Sequence, residues 1–75
     1  MHYENLKLMR QRNELSQEDV ARVLHCQREV YRRYEKGIRE IPVWALVTLA
    51  EFYETSTDYL LGRTSEKRAY PKPKL

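Results

Sequence analysis

The chain has 75 residues, one cysteine, and 14 Lys or Arg against 11 Asp or Glu, for a formal net charge of +3. That length makes one small domain, which buries only about 60% of its unfolded surface, and a lone thiol rules out a disulfide to help it. His2, His25 and Cys26 are too few for a four-ligand zinc site, no apolar run approaches the roughly 20 residues of a membrane span, and the single thiol and lack of a secretory signal predict a cytoplasmic protein. No cofactor, membrane or small-molecule ligand is expected.

Leu6 and Met9, at i, i+3, mark a first helix over about Tyr3 to Asn13, with Arg10 on the same face. Leu8 falls off that stripe and is either a scattered surface residue or part of a contact. Ser16 is a good N-cap for a second helix. Glu18 and Asp19 follow it at the positive end of the helix dipole. Val20, Ala21 and Leu24 form the buried face of this helix, which stops near Leu24 or His25. The small Ala21 lets a following helix cross closely.

A third helix runs from about Arg28 to Lys36, with Gln27 at its cap and Gly37 ending it in the left-handed region. Tyr31 and Tyr34 form its apolar stripe. Gln27, Arg28, Glu29, Arg32, Arg33 and Lys36 face outward. Taken alone, such an arginine-rich face is either a nucleic-acid contact or a solvated surface. Cys26 beside His25 in the turn reads as a structural thiol, since nothing nearby would resolve an oxidised form.

Pro42 pre-sets the start of a fourth helix. Val43, Leu46, Val47, Ala50 and Tyr53 keep a 3.6-residue period through Glu54, and Leu49 and Phe52 widen the stripe. Trp44, Thr48 and Glu51 share another face, where the tryptophan is either covered locally or belongs to a partner surface. Ser56 caps a short fifth helix from Thr57 to about Leu61, closed by Gly62. After residue 62 the composition shifts to RTSEKRAYPKPKL, with two prolines and no apolar period. Residues 1–62 are therefore the folded domain, and 63–75 a basic, flexible tail. The tail is either an inert spacer or a source of diffuse attraction to DNA.

Charge distribution says more than the total. The tail carries a net +4, and residues 5–39 also carry +4, from nine basic and five acidic side chains. Residues 43–62 have no Lys or Arg and three acids, Glu51, Glu54 and Asp58. The domain should thus have a basic face and an acidic back, a stronger argument for nucleic acid than the net charge. The chain has no phosphate-binding glycine loop and no nucleophile with a paired base, so it does not read as an enzyme.

Met9-Arg10, Leu15-Ser16-Gln17-Glu18, Ala21, Leu24, Tyr34-Glu35-Lys36-Gly37, Ile41-Pro42, Leu49-Ala50 and Asp58-Tyr59-Leu60-Leu61-Gly62 together resemble the Cro/repressor-type helix-turn-helix family, also called the XRE family. The resemblance covers residues 5–62 and implies an all-α, compact five-helix lambda-repressor-like domain with its helix-turn-helix at helices 2 and 3. It implies that the third helix enters the major groove. Arg28, Glu29 and Arg33 would then lie nearest the base edges, with Gln27 and Arg32 beside them. Gln17, Lys36 and Arg39 would hold phosphates, and Arg10 would form an internal ion pair with Glu35. The chemistry suits this, because arginine can bond guanine O6 and N7 in two places and glutamate can accept from cytosine N4. The sequence departs from the family pattern at Glu14, His25 and Glu54, where glycine or asparagine is common, and at Gln27, where serine or threonine is the usual cap.

The expected function is a sequence-specific double-stranded DNA-binding transcriptional regulator, a repressor acting as a homodimer on a palindromic operator, since one motif reads about half a site. Trp44, Tyr59 and Leu61 are the candidate dimer surface. The alternative is a protein-interaction module of the same fold, antitoxin-like or an adaptor, with little specific DNA binding.

Overall fold

A computed structural model describes residues 1–69; the end of the tail, residues 70–75, lies outside the described residues, and with it part of the expected flexible segment. The described residues form five helices: α1 (Glu4–Arg12), α2 (Gln17–Val23), α3 (Arg28–Lys36), α4 (Val43–Phe52) and α5 (Thr57–Leu60). The architecture is all-α, as expected. Leu6, Val20, Leu24, Tyr31, Leu49 and Leu60 are its most deeply buried large side chains.

Helix starts follow the capping chemistry of the sequence. Ser16 Oγ accepts from the Asp19 N–H at 3.0 Å, and the Asp19 carboxylate accepts from the Ser16 N–H at 2.9 Å, a reciprocal box. The bond from the Ser16 N–H holds the Asp19 carboxyl below its usual range. Ser56 caps α5 by accepting from the Tyr59 N–H at 3.0 Å. Gln27 occupies the cap position of α3 but makes no side-chain capping bond.

Three of the four positions that depart from the family pattern also carry unusual backbone. Glu14, His25 and Glu54 have φ of 55°, 54° and 55°, in the left-handed region just past the ends of α1, α2 and α4. The α2–α3 turn therefore holds its geometry without glycine, at a conformational cost. Gly37, at φ 76°, ends α3 in the same region. It is crowded as well, since a Cβ there would lie 2.9 Å from the backbone of His2 and from the Met1 carbonyl oxygen.

Two expectations need correction. The stripe expected on α4 included Val43, Val47 and Phe52, yet all three are exposed, Val43 at 75%. The inward face is Ala45, Leu46, Leu49, Ala50 and Tyr53. With only Thr48 and Glu51 polar among its ten residues, α4 is apolar all round, so periodicity cannot choose a face. Its alanines choose instead, because they allow close approach. The fourth helix also ends at Phe52, short of Glu54, whose left-handed backbone breaks it. The second correction is Tyr59, a candidate for the dimer surface. It is buried, its hydroxyl accepts from Arg12 Nη1 at 2.8 Å, and its carbonyl accepts from Asn5 at 2.6 Å, which ties α5 to α1. Leu61 is partly buried against the core, and Trp44 is 55% exposed.

Part of the tail returns to the body. The Arg63 N–H donates to the Asp58 carbonyl, and the Thr55 hydroxyl donates to the Lys67 carbonyl.

The two kinds of left-handed position predict opposite mutational signs. Glu14→Gly and Glu54→Gly should each stabilise the domain by about 0.5–1 kcal/mol, relief of αL strain outweighing the glycine entropy cost. Gly37→Ala should destabilise it by about 1–2 kcal/mol or more. Thermal melts of the three variants check both signs.

Candidate nucleic-acid interface

α2 and α3 pack more extensively on each other than any other pair of helices, and α3 also touches α1. The α1 contact is electrostatic at its centre. Arg10 Nε and Nη2 donate to the two Glu35 carboxylate oxygens, both at 2.9 Å, and Arg10 Nη1 donates to the Leu15 carbonyl at 2.9 Å. The side chains are only 14% and 4% exposed. Burial opposes ionisation of Glu35, but the hydrogen bonds and charge of Arg10 outweigh it and hold the carboxyl below the usual carboxylate range. Gln17 Nε2 donates to the same carboxylate at 3.4 Å, so the first residue of α2 joins the pair. One buried cluster therefore sets the positions of three helices.

The outer face of α3 stands clear of this cluster. Gln27, Arg28, Glu29, Arg33 and Lys36 are exposed and Arg32 is half-buried. These side chains are not equivalent. Arg32 Nε and Nη2 donate to the two oxygens of Glu29 at 2.8 and 2.7 Å, and Arg33 Nε donates to Glu29 Oε2 at 3.3 Å. The hydrogen bonds and charges of the two arginines lower the Glu29 carboxyl to about 2. Arg28 and Lys36 have no ion-pair partner among the described residues. Arg39, beyond the helix, lies with its guanidinium 5.9 Å from the Tyr34 ring centroid, a cation–π distance.

An open cleft of about 690 Å³ runs beside the C-terminal half of α3. Gln17 and Lys36 line it, together with Lys7 of α1, His2, and the Arg10–Glu35 pair. Two of the residues expected to hold phosphates are thus brought together, whereas Arg39 is not among the lining residues. Lys7 was missed in the sequence reading. It sits three residues before Arg10, so the spacing that puts Arg10 against Glu35 also brings Lys7 to the same side. Cys26 is half-buried, and burial pushes its thiol up from the ordinary value, which makes it a poor nucleophile at neutral pH.

Two helices crossing at a tight turn, with the second one's polar face turned outward, define a helix-turn-helix. The chain belongs to this family: the family model described as "Helix-turn-helix domain" matches residues 4–61. It is 38% identical over 89% of its length to the uncharacterized HTH-type transcriptional regulator YqaE of Bacillus subtilis (strain 168), covering 59% of that protein. It is 32% identical over its whole length to YobD, an uncharacterized HTH-type transcriptional regulator of the same organism, covering 63% of it, and 32% identical over 96% to the HTH-type transcriptional regulator AnsR, covering 62%. The chain thus spans about three fifths of the length of these relatives. No solved structure matches it significantly.

Glu35→Gln should destabilise the domain by about 3–5 kcal/mol, because it leaves Arg10 charged and poorly solvated. The pH dependence has a definite sign. A lowered folded pKa means that the stabilisation is present above the unfolded value near about 4.3 and is lost as pH falls through the folded value. Denaturant titrations at about pH 3 to 7 should show a smaller acid loss in Glu35→Gln than in the wild type.

Proposed function

We propose that the chain is a sequence-specific double-stranded DNA-binding transcriptional regulator of the repressor type, acting in the cytoplasm, with α3 in the major groove. The observation that carries this reading is the arginine-bearing face of α3, held outward on a helix whose inner face is locked to α1 and α2. Membership of the helix-turn-helix family and the names of the relatives support it. No helix among the described residues is long and apolar enough to cross a membrane.

In this reading Arg28, Glu29 and Arg33 lie nearest the base edges, with Gln27 and Arg32 beside them. Gln17, Lys36 and Arg39 contact phosphates, and the cleft adds Lys7 to that set. Phosphate contacts set register and much of the affinity, while base contacts set sequence preference. A homodimer on a palindromic operator would supply two half-sites about one helical turn apart. Its surface is better sought on α4, where Val43, Trp44 and Val47 are exposed, than on Tyr59. The same exposed apolar side chains favour the second reading, a protein-interaction module with little specific DNA binding.

Selection from random duplexes at several salt concentrations should enrich a two-fold symmetric site, and the absence of any enriched site would sink the proposal. On the enriched site, Arg33→Ala should cost about 1–3 kcal/mol and relax one base position. Lys7→Ala should weaken all duplexes alike and reduce the salt slope by about one. If Arg33→Ala leaves DNA binding intact but a protein partner is captured through Trp44, the interaction module is the better reading.

A further inference from the structure

Glu29 is the one acid on the outer face of α3, and a direct contact from it to cytosine faces an obstacle. Its two oxygens already accept three N–H bonds, two from Arg32 and one from Arg33. With three of its roughly four lone-pair sites engaged, such a carboxylate keeps one at most for a base amino group. Nor would it be welcome near DNA on electrostatic grounds, unless it acts on its neighbours.

The way each arginine is held differs. Arg33 is engaged only through Nε, so both of its Nη groups remain available, and these form the end-on fork that matches guanine O6 and N7. Arg32 is engaged through Nε and Nη2, which uses one edge of its guanidinium and leaves Nη1 without a bond to Glu29. Glu29 thus braces one arginine from behind and ties up the other. It also reduces the charge of the trio from +2 to +1, and phosphate attraction independent of sequence depends on that charge.

We propose that Glu29 is a positioning residue that sets specificity: it braces Arg33 for guanine and cancels charge that would otherwise strengthen binding to any duplex. This rests on the DNA-binding reading above. The device follows the logic of specificity by penalty, in which a repulsive group costs more on the wrong partner than on the right one. On unrelated DNA the carboxylate repels the backbone with no return. On the cognate site that cost is offset by an Arg33 already oriented for its base. The pair is exposed, so its contribution to folding is small, and the effect should appear in binding rather than in stability.

The test compares wild type, Glu29→Gln, Arg33→Ala and the double variant Glu29→Gln/Arg33→Ala on the wild-type selected site, on its single-base variants and on an unrelated duplex of equal length. Glu29→Gln should bind the unrelated duplex about three- to tenfold more tightly, with a salt slope steeper by about one. Affinity for the selected site should rise less, so the specificity ratio falls. Most of the effect on base preference should vanish once Arg33 is absent. Unchanged or weaker binding to the unrelated duplex would overturn the proposal. So would a loss confined to one C·G position that persists in the Arg33→Ala background, since that is the signature of direct readout by Glu29. If the wild type itself selects no site, the DNA-binding reading fails first and takes this inference with it. A circular-dichroism melt checks that the variants remain folded.

Discussion

The pairing of Arg10 with Glu35 is the constraint on which the rest of this small domain depends. It joins two nearly buried charges from α1 and α3 through two bonds of 2.9 Å, and it reaches α2 through Gln17 and the connection before α2 through the Leu15 carbonyl. Breaking such a pair from one side strands a charge where water cannot fully reach it, so its members must stay together. Two buried tyrosines close the cluster. Burial raises the hydroxyls of Tyr31 and Tyr53 well above their ordinary value, that of Tyr53 to about 12. The pair also solves a problem of sign. Glu35 lies on the DNA-reading helix of the proposed complex, and a free carboxylate there would oppose phosphate. Bound to Arg10, it lends rigidity without repulsion.

The remaining cations divide by partner. Arg22 is engaged by Glu18 and Asp19, and Arg32 and Arg33 by Glu29. Lys7, Arg28 and Lys36 have no ion-pair partner among the described residues. A contact with phosphate costs least where no internal bond has to be given up, and on this reasoning Lys7 and Lys36 suit the backbone better than Arg32 or Arg33. Arginines that are partly restrained suit bases, where orientation matters more than charge.

How much of this was legible in the sequence varies with the kind of signal. Caps were legible because they are local: Ser16 and Ser56 announce α2 and α5, and Glu14, His25 and Glu54 stand at the left-handed positions where glycine would be expected. The inward face of α4 was not legible, because a helix apolar on every side carries no periodic information and only its neighbours decide which side is covered. Tyr59 was misassigned for a similar reason. Its burial depends on Asn5 and Arg12, more than 40 residues away in the chain. The Glu29 fork lies between these extremes. Its i, i+3 and i, i+4 spacing is visible in the sequence, but the choice of Nε over Nη on each arginine is a matter of geometry alone.

That last detail bears on how a domain of this size could discriminate among DNA sites. In the proposed complex, affinity and specificity both draw on the same short helix, and they make opposing demands on its charge. Each added cation strengthens binding to every duplex, while only an oriented donor pair distinguishes guanine from its alternatives. An acid placed among the arginines moves the balance toward discrimination, at some loss of affinity. In the proposed complex Lys7, which belongs to α1 rather than to the reading helix, can restore that affinity without altering base preference. In this arrangement the two tasks fall to different side chains, although one folding unit positions them all.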